Sequence, residues 1–333
     1  MHTYTLSEVQ TAQHAVYAAM PPTPQYAWPQ LGARVGAQVW VKHENHTPVG
    51  AFKIRGGLTY MAALKAAGQM PAGFIAATRG NHGQSIAFAA SQHNVPTTIV
   101  VPAGNAREKN AAMQALGAQL VEYGDDFQAA RSHAKVLAIS HNLHSVPSYH
   151  SDLVSGVMTY WLEFFESFKD GAAPDVVFVP IGQGSGFCAA AAARAHCKVS
   201  TQLVGVVSAH ATCYLDSYRA GHAISAPSRT ALADGLADGL ACSVRDAESL
   251  AIVMNQADDV IAVTDDEVAH AMRVLFADTH NVAEGAGAAS MVAAIQQRDK
   301  WAGQRVGVTL CGGNVDSAMF AHVLAGHTPA FVS

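Results

Sequence analysis

The sequence predicts an α/β fold in which parallel sheets are covered by helices on both faces. Three observations predict it. Downstream of Pro71, strand-like runs and helical segments alternate, the rhythm of parallel strands joined by crossovers. Glycine-containing turns follow several of those strands, at the edge where open α/β sheets bind ligands. Half of the residues are apolar and 14% are charged, below the ~25% usual in soluble domains. Much of the chain must therefore be buried, as in a layered enzyme. The 333 residues suffice for about two domains of ~150 residues each.

Taken in order, Ser7 followed by Gln10 reads as a capping box that opens a first helix, which Pro21, Pro22 and Pro24 stop. Residues 37–42 (AQVWVK) read as a strand. A loop with proline and glycine leads to a helix over 52–67, where Leu58, Met61 and Leu64 recur at helical spacing. Three strand and helix pairs follow: 73–77 with 84–92, 97–101 with 106–116, and 118–123 with 127–139. The pattern resumes with a strand over 176–180, a glycine loop, an alanine-rich helix and a strand over 202–207; a last strand covers 305–310. No internal repeat or long linker separates the parts, so the two domains are read as interleaved.

Composition excludes several function classes. A formal net charge of -5 gives no basic field for nucleic acid or an anionic membrane. No apolar run reaches the ~18 residues of a membrane span, and the first residues show no basic-then-apolar leader. Cys188, Cys197, Cys213, Cys242 and Cys311 form no CxxC pair, which points to reduced thiols and a cytoplasmic location. The histidines are scattered and no HExxH pattern occurs, so they do not point to a metal.

Four segments carry chemistry. In 42–57 (KHENHTPVGAFKIRGG), Lys53 stands where a helix begins after a glycine-containing turn. The positive helix terminus disfavours an ammonium, and a neutral amine forms a Schiff base with an aldehyde; spacing alone fits an ordinary surface lysine as well. In 76–83 (AATRGNHG), a strand-to-helix turn offers backbone amides to a carboxylate through Thr78, Arg79, Gly80, Asn81 and His82. A plain turn using glycine and asparagine fits equally. In 180–186 (PIGQGSG), Gly182, Gly184 and Gly186, with Gln183 and Ser185 between them, suit a phosphate at a helix N-terminus. A dinucleotide ranks lower, because the spacing is not GxGxxG and no acidic residue follows near Val207. In 309–314 (TLCGGN), Cys311 sits in a turn; as a nucleophile it would need a base that no signature identifies.

Together, in this order and spacing, the four segments resemble the fold type II pyridoxal-phosphate enzymes (tryptophan synthase β-like), and within them the serine/threonine dehydratases. The resemblance covers nearly the whole chain, and residues 233–237 (ADGLA) and 284–288 (EGAGA) match two further family segments near the cofactor. It implies two interleaved domains, each with a mostly parallel sheet flanked by helices: a large cofactor-binding domain from 1–70 and 150–333, and a small substrate-side domain from 71–149. It implies that Lys53 forms the Schiff base with pyridoxal 5′-phosphate and removes the Cα proton. Asn81 bonds the pyridine hydroxyl, the 182–186 loop holds the phosphate, Cys311 lies beside the pyridine nitrogen, and the Thr78 to His82 turn holds the substrate carboxylate.

The implied reaction takes a 3-hydroxy amino acid of the threonine or serine type, or a bulkier one such as 3-phenylserine, to a 2-oxo acid and ammonia. Departures from the pattern are Ala51 in place of a common serine, which could widen the pocket, Gln183 and Ser185 within the glycine run, and Arg79 in place of a small residue. The chain ends soon after Asn314, which fits the catabolic type without a regulatory domain. In metal-activated relatives two acidic residues hold the ion; Val207 and Cys213 fall on or near those positions here, and no metal is expected. The partner is a small amino-acid substrate, with the oligomeric state left open between monomer and homodimer. Rival readings are a β-replacement synthase of the same fold, a phosphate-ligand-binding protein without catalysis, and a dinucleotide oxidoreductase.

Overall fold

A computed structural model describes residues 2–169, 172–225 and 246–329. The first half runs α1 (Leu6–Tyr17), β1 (Gln25–Ala27), α2 (Pro29–Val35), β2 (Gln38–His43), α3 (Lys53–Ala66), β3 (Phe74–Ala77), α4 (Asn81–Ser91), β4 (Thr97–Val101), α5 (Arg107–Ala115), β5 (Gln119–Glu122), α6 (Phe127–Ser140) and β6 (His144–Ser145). The second half runs α7 (Ser151–Glu166), β7 (Val176–Pro180), α8 (Ser185–Cys197), β8 (Gln202–Ser208), α9 (Cys213–Ala220), α10 (Ala247–Gln256), β9 (Asp259–Val263), α11 (Asp265–Thr279), α12 (Gly285–Gln296), β10 (Arg305–Leu310) and α13 (Ser317–Leu324).

The strands form two sheets. A six-stranded sheet has the order β1-β2-β10-β7-β8-β9, parallel except for the antiparallel edge strand β1. A four-stranded parallel sheet has the order β5-β4-β3-β6. The α/β class with helix-flanked parallel sheets is therefore observed. In β7, Val176 and Phe178 face a core shared with α11 and α12, while Val177 and Val179 face a second core shared with α7 and α8. That alternation, with both faces covered, is why every residue of the strand interior is apolar. In the smaller sheet, Phe74, Ala76, Ile99 and Val101 pack with residues of α3 and α4, and Ile75 and Val100 pack on α6.

Most strands and helices lie within a residue or two of their expected bounds. The first cap is displaced. Thr5, not Ser7, caps α1: its hydroxyl accepts from the Glu8 amide, and the Glu8 carboxylate accepts from the Thr5 amide at 2.7 Å. A carboxylate reaching back closes the capping box more strongly than the Gln10 amide would. Helix α4 begins at Asn81, three residues earlier than the expected 84, so Asn81 and His82 are already helical and Gly80 is the N-cap. Helices α7 and α12 were missed in the sequence reading: α12 is buried on almost every side and shows no polar stripe, whereas α7 carries one in Asp152, Ser155, Thr159, Glu163 and Glu166. Among the described residues, no helix is long and apolar enough to cross a membrane.

Candidate active site

The segment 42–57 sends its residues to two different places. Lys53 is the first residue of α3, with its ammonium nitrogen 4.9 Å from the centre of the Phe52 ring. It lines a cavity together with Asn81, residues 182–186, Glu284 and Cys311. Lys42, Glu44 and Arg55 instead form a buried charge network beneath the site. The Arg55 guanidinium donates to both oxygens of Glu44 (2.8 and 2.9 Å) and to both oxygens of Glu163 on α7 (2.5 and 3.1 Å). The Lys42 ammonium donates to Glu163 at 2.6 Å and to the Thr23 carbonyl at 2.7 Å. Burial would raise the Glu163 carboxyl, but the Arg55 and Lys42 cations outweigh it and hold the group below the usual carboxylate range. Gly56 and Gly57 let α3 approach its neighbours: an added Cβ would stand 2.8 Å from the Leu153 carbonyl oxygen on α7, or 2.8 Å from that of Ser85 on α4.

The glycine loop between β7 and α8 borders the cavity opposite this segment. Gly184 has φ +97° and caps α8, a position a side chain would strain; an added Cβ would also meet that of Ser249 at 2.5 Å. Loop carbonyls are tied back: the Tyr214 hydroxyl donates to Gln183 (3.2 Å) and bonds the Ser249 hydroxyl (2.6 Å), and the Trp161 indole donates to Gly186 (3.2 Å). The first intrahelical bond runs from the Cys188 amide to the Gly184 carbonyl at 2.9 Å. The amides of 185–187 thus open a 13-residue helix at its positive end, an anion-binding arrangement. Gln183 also lines a neighbouring cleft of about 280 Å³ with Arg131, Lys135 and Tyr149.

In the 78–82 turn, the Thr78 hydroxyl oxygen accepts from the Gly80 amide at 3.0 Å. The Gln84 amide is bonded to the Gly80 carbonyl at 3.0 Å, leaving the amides of 81–83 at the head of α4. Asn81 points its amide at Glu284 and Asn314. His82 has its Nε2 buried without a hydrogen-bond partner; burial, and then the charge of Lys53, pull its pKa down to about 3, so the ring is neutral. Arg79 is half-buried.

At the end of β10, the Cys311 carbonyl accepts from the Phe52 amide at 3.0 Å, and Ala51 bridges to Gly312, which fixes the approach to Lys53. The Cys311 thiol is buried and lies 3.4 Å from the Ala286 carbonyl. Burial pushes this thiol well above its usual pKa, so it is not the thiolate a nucleophile requires. Ala51 is fully buried and bonded to Thr47 through both its amide and its carbonyl, outside the cavity lining. The expectation that Ala51 widens the pocket is therefore corrected.

One cavity thus joins a primary amine, an anion-binding helix head and asparagine and cysteine side chains. These groups fit a phosphorylated aldehyde. Sequence reasoning missed the supports: Glu163 under α3, Tyr214 and Ser249 behind the loop, and Lys109, which pairs with Glu284. Only Glu284 carried a signal, as the first residue of 284–288. Residues 233–237 lie outside the described residues. Among the described residues, no three His, Cys, Asp or Glu side chains gather as metal ligands.

Comparison with known proteins agrees with this geometry. The family model described as pyridoxal-phosphate dependent enzyme matches residues 16–312. The chain is 30% identical over 323 residues to the L-threo-3-hydroxyaspartate ammonia-lyase of Saccharomyces cerevisiae, covering 97% of each chain. It is 28% identical to the serine racemase of Schizosaccharomyces pombe, covering 96% of this chain and 97% of that one. Its fold matches the processed threonine deaminase isoform 2 of Solanum lycopersicum with a TM-score of 0.85 and 26% identity, over 97% of this chain and 95% of that one. With a cavity suited to the cofactor and a family match over most of its length, the chain belongs to the pyridoxal-phosphate-dependent enzymes, and pyridoxal 5′-phosphate is its cofactor.

Proposed function

We propose that this enzyme is a lyase that eliminates water across the Cα–Cβ bond of a 3-hydroxy amino acid of the threonine or serine type and then releases ammonia by hydrolysis, leaving a 2-oxo acid. The observation that carries the reading is the single cavity lined by Lys53, Asn81, residues 182–186 and Cys311. Relatives named for 3-hydroxyaspartate and for threonine, both 3-hydroxy amino acids, support the substrate class. When bound, the cofactor supplies an electron sink for the bond broken at Cα.

The chain's residues do the rest. Lys53 holds the cofactor and, as a freed neutral amine, takes the Cα proton. The amides that open α8 bind the phosphate, and those that open α4 hold the substrate carboxylate. Asn81 donates to the ring hydroxyl. Cys311, a neutral thiol, offers no carboxylate to keep a proton on the ring nitrogen. Water lost in the elimination is regained when ammonia leaves, so the net products are the 2-oxo acid and ammonia.

The test is a panel of threonine, serine, 3-hydroxyaspartate and 3-phenylserine, assayed for 2-oxo acid with and without a chelator. The enzyme should release 2-oxo acid without any co-substrate and be indifferent to the chelator. Val207, in the buried strand β8, and Cys213, at the buried start of α9, offer no carboxylate to a hard cation. Product that forms only with a second nucleophile would establish the β-replacement reading instead. Activity lost to chelator and restored by magnesium would show that a metal site had been overlooked.

Racemisation is expected to be a minor reaction. Inverting Cα needs a second base on the face opposite Lys53. A guanidinium offers only donors and no lone pair for a proton, so Arg79 cannot serve. Thr78 is the remaining hydroxyl of the turn, and its oxygen already accepts from Gly80. One enantiomer of serine is incubated in deuterated water and recovered by chiral chromatography. Inverted, deuterated serine should form at least about tenfold more slowly than 2-oxo acid, because only one face carries a competent base; equal rates would refute the assignment.

A further inference from the structure

We infer that the buried Lys109–Glu284 pair is a positioning device that fixes Asn81 as a hydrogen-bond donor toward the cofactor's ring oxygen. The inference rests on the reading of Asn81 as the partner of that oxygen. Lys109 lies on α5, in the charged stretch REKN, where a solvated lysine would be expected. It is instead 4% exposed, with its ammonium nitrogen 3.2 Å from Glu284 Oε2, and the Glu284 side chain is 3% exposed. Two glycines make room for the pair. A Cβ at Gly80 would stand 2.4 Å from Lys109 Cδ, and one at Gly312 would stand 2.3 Å from Glu284 Oε1. The pair therefore threads between the 78–82 turn and the turn after β10.

The hydrogen bonds determine which end of Asn81 faces which partner. Asn81 Nδ2 donates to Glu284 Oε1 at 2.5 Å. Asn314 Nδ2 donates both to the Val49 carbonyl and to Asn81 Oδ1, each at 2.8 Å. A carboxylate only accepts, and Asn314 presents only its NH₂ here. Turning the Asn81 amide over would set oxygen against oxygen at Glu284 and nitrogen against nitrogen at Asn314. An amide has two N–H groups and one carbonyl. The carbonyl is directed at Asn314 and one N–H at Glu284, and the second N–H is the donor Asn81 has left for the cavity it lines. Lys109 supplies the positive charge that makes a buried carboxylate tolerable at this point. Neither Lys109 nor Glu284 is assigned a chemical step.

The experiment compares Asn81→Ala, Glu284→Gln and Lys109→Met holoenzymes by visible absorption of the bound cofactor, cofactor Kd and Tm. Glutamine at 284 keeps the shape but both donates and accepts, so Asn81 is no longer held one way round. Glu284→Gln and Lys109→Met should each shift the visible band and raise the cofactor Kd about tenfold, the loss of one charge-assisted bond. The double variant should be no worse than the worse single one, because the two act as one unit. A Glu284→Gln enzyme with a wild-type band and a Kd within about twofold of wild type, beside an Asn81→Ala enzyme that loses both, overturns the positioning role alone. A lowered Tm with band and Kd unmoved likewise reduces the pair to a structural one. An Asn81→Ala enzyme with an unchanged band overturns the reading of Asn81 itself. Should Lys109→Met fail to fold, the near-isosteric Glu284→Gln carries the test.

Discussion

Lys53→Ala is expected to give a folded, colourless protein whose kcat falls by at least ~10³-fold, since the lysine serves as both covalent anchor and base. The change costs the fold little. Lys53 is the first residue of α3, half-buried, and alanine is the better helix former. Tm of the variant without cofactor should therefore match that of wild type without cofactor. In the wild-type enzyme, borohydride should fix the cofactor on the peptide that contains Lys53. Label recovered on another lysine, or a Lys53→Ala enzyme that keeps its colour and most of its rate, would overturn the assignment.

Glu163→Gln should produce the largest loss of stability among single changes near the site. The Glu163 carboxylate answers two cations, Arg55 and Lys42, while Glu44 answers only Arg55. Replacing it leaves two buried cations facing one anion. Breaking a buried pair in this way costs about 3–5 kcal/mol, a fall in Tm of roughly 6–15 °C. The pH dependence has a definite sign. The Glu163 pKa is lowered in the fold, so its ionic contribution is complete above the unfolded value of about 4.3 and is lost as pH falls through the lower folded value. Wild type should therefore lose stability in acid more steeply than Glu163→Gln. Thermal unfolding of both holoenzymes checks this, and a Tm change under about 2 °C would show that the network adds little.

The 42–57 segment shows how far the sequence reaches. Its spacing marks Lys53 as a residue at the head of a helix, and the structure agrees. The same segment holds Arg55, which the spacing cannot separate from Lys53 in importance. At about 100° per residue, two positions along a helix turn the side chain by roughly 200°. Arg55 therefore leaves the opposite side of α3 and enters the core, where Glu44 and Glu163 complete it. Glu163 comes from α7, on a polar stripe that includes Thr159 and meets Arg55 in the core instead of water, and helical spacing alone does not say which of the two a polar face will meet.

Lys109 is a stronger case. In a helix with the sequence REKNAAMQA, nothing local separates a buried lysine from a solvated one. Its burial follows from Gly80 and Glu284, which are 29 residues before it and 175 after it. Ala51 errs the other way. Its small side chain suggested a wider pocket, but the turn after β10 covers it.

By itself the sequence determined the alternation of strands and helices, the parallel character of the sheets, the glycine turns at the strand ends and the place of Lys53. These depend on backbone preference and side-chain period over a few neighbouring residues, and they are written locally. Only the tertiary structure decided which charged groups are buried together, which glycines make room for them and which way the Asn81 amide faces. Those are set by contacts between segments far apart in the chain. A buried charge is stable only where a distant partner meets it, and local spacing does not encode where that partner lies.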